Sequence, residues 1–164
     1  MKRVLLTFLM LICIGAPGRV MSAPANGATI DGVWATLSTA KPDTVNVYMT
    51  VWMPHGSTDQ LLGVLTPVAS SVEMVAPESA GSGKTTGRFQ KIDEITIDGQ
   101  EPLVFQPHGP HLILTGLRQH LKQGQSFLLL LDFAHSGMQA VTATMASANP
   151  ARGMPQLPKG LKLD

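Results

Sequence analysis

The chain has 164 residues, with Lys+Arg 12 against Asp+Glu 11, 44% apolar residues and one cysteine. That length suits one domain with a sizeable core, and a near-neutral charge without a basic arm gives no footprint for nucleic acid. A single cysteine excludes a disulfide framework and a multi-thiolate metal site.

At the N-terminus Lys2 and Arg3 precede an apolar run from Val4 to Gly15, followed by small residues at Ser22-Ala23-Pro24-Ala25. This is the pattern of a secretory signal peptide. The run is shorter than the roughly 18 residues of a spanning helix, and no later segment approaches that length. Residues 1–23 are therefore expected to be removed on export, with cleavage after Ala23 or after Ala25, leaving a soluble periplasmic or secreted protein. A lipid-anchored form needs a small residue directly before the cysteine, where Ile12 stands, so Cys13 is read as part of the removed segment. Removal also takes Lys2, Arg3 and Arg19, so Lys+Arg falls from 12 to 9 against 11 Asp+Glu and no thiol remains. Any metal must then be held by His, Met or carboxylate.

The next elements lie in a domain expected over 26–147. Thr44 to Met53 (TVNVYMTVWM) alternates with period two, putting Val45, Val47, Met49, Val51 and Met53 on a core face. Further short runs occur at Gly32 to Ser38, Gln60 to Thr66, Ser70 to Val75, Ile92 to Ile97, Pro102 to Gln106, His111 to Thr115, Ser126 to Phe133 and Ala140 to Met145. Turn signals such as Lys41-Pro42-Asp43, Asp98-Gly99 and Ser136-Gly137 separate them. Many short strands and no long amphipathic helix predict an all-β, antiparallel Greek-key sandwich or barrel. At most one helical turn fits, around Leu117 to Leu121. The segment 148–164, rich in Pro and Gly, reads as a flexible tail.

Between the fourth and fifth of these runs, Glu78 to Gly87 reads ESAGSGKTTG. A phosphate-binding loop needs glycine where Glu78 stands and a helix after the Gly-Lys-Thr, and nothing after Thr85 has helical periodicity. The stretch is read as a polar hairpin loop, with no nucleotide bound. No Ser-His-Asp or paired-carboxylate pattern stands out, so no enzymatic activity is expected.

The histidines and methionines carry the remaining chemistry, since imidazole and thioether together suit a soft ion such as Cu(I). Met49 and Met53 read as core, and His55, His120 and His135 as solvated. Gln106 to Leu114 (QPHGPHLIL) differs, because His108 and His111 flank Gly109-Pro110 where a strong apolar strand begins. Two imidazoles on a rigid turn can converge on one ion.

The stretch PLVFQPHGPHLILTGLRQHLKQGQSFLLLLDFAHSG resembles the most recognisable part of the periplasmic copper chaperone family PCu(A)C. Trp34, Tyr48, Asp59, Leu61-Leu62-Gly63, Thr66-Pro67-Val68-Ala69 and Val72-Glu73-Met74 fit the same order, so the resemblance spans Gly32 to Met145. It implies a cupredoxin-like sandwich that binds Cu(I) through two His and two Met and passes it to a copper-receiving periplasmic or membrane protein. Carried over by position, the family's second His falls on His111 and the Met two residues later on Ile113. The other Met falls on Phe89 and the first His on Val75, so one of four ligands survives. The resemblance therefore implies a degenerate site at His111 with His108, aided by Met74. The alternative is a non-metal interaction module whose apolar patch is Val75, Phe89 and Ile113.

Overall fold

The computed structural model describes residues 27–39, 41, 43–79 and 85–146. The expected signal peptide, Lys84 and the expected tail from residue 148 lie outside the described residues. Ten strands follow in order: β1 Thr29–Leu37, β2 Val45–Trp52, β3 Thr58–Leu65, β4 Ala69–Ser79, β5 Thr85–Ile92, β6 Ile95–Asp98, β7 Leu103–Phe105, β8 His111–Leu117, β9 Ser126–Phe133 and β10 Gly137–Met145. No helix occurs among the described residues, and the expected helical turn is replaced by bends at Arg118 and Gln119.

The strands form one sheet in the order β5-β4-β8-β2-β1-β10-β9-β3-β6, with β7 on β2. All pairs are antiparallel except β1 with β10, which run parallel. The expected single strand from Ile92 to Ile97 is in fact two, broken at Asp93-Glu94, and the halves lie at opposite edges of this order. Two residues can bridge those edges only if the sheet curls until its ends meet. This closure makes the sandwich, with β5 and β6 as its edge strands.

The curl encloses one core. Val45, Val47 and Val51 are fully buried and Met49 nearly so, as the alternation requires. Leu112 and Leu114 of β8, Met74 of β4, and Leu129, Leu131 and Phe133 of β9 join them in the same cluster. Each such large side chain contributes on the order of 1.5–3 kcal/mol by leaving water. Behind the core face, the residues alternating with it in β2, β4 and β8 form a second surface, and the candidate site sits there.

Candidate metal site around His111

β7 pairs with Met49 to Val51 of β2, and β8 pairs with Val45 to Val47. Leu103–Phe105 and Leu112–Leu114 thus run along one side of β2, with an excursion at Gln106–Pro110 between them. That excursion is closed by Gln106 N–H donating to Pro110 O at 2.8 Å and Gly109 N–H to Gln106 O at 3.0 Å. Pro107 and Pro110 fix two further φ angles within it. A stiff turn therefore delivers His111 as the first residue of the resumed strand, while His108 stands exposed on the turn.

His111 is 5% exposed. Its Nδ1 lies 3.0 Å from Gly109 O. A carbonyl only accepts, so Nδ1 carries the proton and Nε2 the lone pair. Burial pushes the imidazole pKa below its ordinary value, outweighing the Gly109 hydrogen bond, which raises it. The ring is neutral at pH 7. Among the described residues no buried polar side-chain atom lacks a partner. Nε2 makes no hydrogen bond, so it opens to solvent. Phe89 meets the imidazole edge-on, with centroids 4.7 Å apart at 80°. Tyr48 lies at 5.9 Å from it, and Trp34 lies 4.4 Å beyond Tyr48. Burial raises the Tyr48 pKa, against opposing hydrogen bonds from Thr36 and Asn46.

The register places the other positions. Val75 is directly opposite His111, and Glu73 is opposite Ile113. Ile113 shares the His111 face two residues along, and Phe89 touches the ring from β5. Met74 pairs with Leu112 and joins the core, which puts its thioether on the other face of the sheet. The expected aid from Met74 to His111 is thereby ruled out. No group of three or more His, Cys, Asp or Glu able to hold a metal occurs among the described residues. The residues opposite and against His111 are apolar and aromatic, with Glu73 one pair further along the same face.

Trp34 and Tyr48 were legible as strand residues but not as neighbours of His111. The signal was available in β2, where Tyr48 alternates with core residues and yet is 5% exposed. The ESAGSGKTTG stretch is also shorter as a loop than expected. β4 continues to Ser79, which pairs with Thr85, and Thr85–Ile92 is a strand where a phosphate-binding loop needs a helix.

A second cluster went unread in the sequence. Asp59, on β3, is 1% exposed. Its Oδ1 accepts from Gln60 N–H at 2.8 Å, His135 N–H at 2.9 Å and His135 Nδ1 at 3.2 Å. Oδ2 accepts from Ser136 N–H at 2.8 Å and Ser136 Oγ–H at 2.6 Å. Burial alone would raise its pKa, but the Ser136, His135 and Gln60 hydrogen bonds together hold it well below the carboxylate range. The group is a carboxylate brace for the β9–β10 turn. Ser136 Oγ–H bonds Asp59 and not His135, so Asp59, His135 and Ser136 do not line up as a nucleophilic triad. His135, expected to be solvated, is 77% exposed at its side chain yet tethered by this bond.

Among solved structures, the copper-bound PCuAC domain of PmoF2 matches with 20% identity and a TM-score of 0.59, over 77% of this chain and 99% of that one. Apo-DR1885 from Deinococcus radiodurans matches with 22% identity and a TM-score of 0.58, over 90% and 97%. Its Cu(I) form gives 22% and 0.59, over 79% and 83%. These likenesses establish the cupredoxin-like fold. No curated protein matches the chain significantly. A family model does, that of LpqE-like lipoproteins, over residues 28–145. That match over most of its length means that this chain, with its PCuAC-type fold, belongs to the LpqE-like family.

Proposed function

We propose that this is an exported copper-chaperone-like protein in which the Cu(I) site has shrunk to His111, with His108 as second donor. The observation that carries the reading is the Nδ1 hydrogen bond to Gly109 O, which fixes the tautomer of a ring that burial keeps neutral and so leaves Nε2 as an open ligand atom. Metal-bound imidazoles are commonly oriented by such a bond. His108 is three residues away on the same rigid turn. With Val, Phe and Ile at the other positions, Cu(I) is held weakly and passes readily to a receiving protein with a fuller ligand set. The protein is read as a periplasmic or secreted carrier, not an enzyme.

Cu(I) titration against a competing chelator tests this reading. Wild type should bind, His111→Ala should lose at least tenfold in affinity, and His108→Ala should lose less. Equal binding by all three proteins would refute it. A second reading rests on Phe89, which is 42% exposed while packed on His111. With Val75 and Ile113 it forms an apolar rim suited to docking a protein without metal. A partner that binds wild type in the presence of a Cu(I) chelator and loses binding on Phe89→Ser would favour this second reading.

A further inference from the structure

We propose that the cavity beside Asp59 is a second soft-ion site, in which His135 Nε2 and the Met53 thioether bind one Cu(I)-class ion. Met53 and His135 line the same cavity of about 340 Å³, together with Ser57, Thr58 and Asp59. Here a histidine oriented by a buried carboxylate and a methionine line a common space away from His111.

Three features make it more than a surface histidine. Asp59 Oδ1 accepts a hydrogen bond from His135 Nδ1–H at 3.2 Å, so the lone pair sits on Nε2, and the carboxylate–histidine pairing is the arrangement that orients metal-bound imidazoles. Asp59 itself is fully occupied by five hydrogen bonds and serves as orienter, not ligand. Met53 is 9% exposed, and its backbone precedes a closed turn in which Ser57 N–H donates to Pro54 O at 2.9 Å and Gly99 N–H to Ser57 O at 2.8 Å. Both ligand carriers are therefore braced before an ion arrives. One nitrogen and one thioether favour a soft monovalent ion over Zn(II) or Mg(II), which want more nitrogen or oxygen donors.

The test uses Ag(I) as the soft-ion probe on the full chain carrying 13C-methyl methionine, followed by NMR. Ag(I) should shift the Met53 methyl and the His135 ring signals. His135→Gln, which keeps a donor for Asp59, and the volume-conserving Met53→Leu should each lower affinity at least tenfold, while His111→Ala should leave these shifts in place. That last arm separates this site from the one at His111. Shifts confined to other methionines, unchanged binding in His135→Gln, or preference for Zn(II) over Ag(I) would each overturn the proposal. Because the His135 ring is mostly exposed, its variant decides the matter even if Met53→Leu fails to fold.

Discussion

Asp59 gathers five hydrogen bonds on one buried carboxylate. A buried carboxylate is tolerated only when its lone pairs are filled, and here five donors from β3 and the β9–β10 turn fill them. Asp59→Asn would turn an NH2 group toward some of those donors. We expect it to lower unfolding stability by about 3 kcal/mol, read as a fall in the urea midpoint at pH 7. The pH dependence follows from the sign of the shift. The folded pKa lies below the unfolded one, so the contribution is complete above about pH 5 and is lost as pH falls below about 4. The Asn variant should lack that acid-side loss, and an equal loss in both proteins would remove Asp59 from its cause. The residue was partly legible in the sequence: Asp59 shares a strand face with Leu61, and an inward carboxylate demands partners. Which partners it finds depends on β9 and β10, more than seventy residues away, and no local pattern encodes that.

At the scale of elements, periodicity carried the reading where strands are half buried and failed where they are not. β2 alternates cleanly because one face meets the core. β5 (TTGRFQKI) was missed because it is an edge strand whose residues from Thr86 to Lys91 are all exposed, so nothing selects a period of two. The Ile92 to Ile97 run was read as one strand because both halves contribute apolar residues. Only the closure of the sheet reveals the break. Gly99, after β6, tests how tightly that side of the fold is built. A Cβ there would lie 2.2 Å from Pro54 O and 3.1 Å from Gly56 N, both backbone atoms that cannot swing aside. Gly99→Ala should therefore separate the β2–β3 turn from β6 and cost about 1–3 kcal/mol in a denaturant melt. An unchanged midpoint would mean that the two turns are not locked together.

For the whole molecule, the family's order of tryptophan, strand, turn and histidine was visible along the chain, whereas the environment of His111 was not. By the resemblance, Val75, Phe89 and Ile113 stand where the family has three of its four copper ligands. The folded chain adds that their replacements still stand around the histidine: Val75 opposite it, Phe89 against its ring and Ile113 beside it on the same face. The Met74 thioether points the other way, which could be decided only once the register of β4 on β8 was known. The proposed function holds that a copper scaffold persists here with its ligands replaced by apolar side chains. Cu(I) titration of the triple variant Val75→His, Phe89→Met, Ile113→Met against a competing chelator tests it most directly. Restoring soft donors around a preoriented imidazole should raise affinity over wild type by roughly a thousandfold, about 4 kcal/mol. No gain in a variant that remains folded would show that these positions do not converge on His111, and would contradict the account.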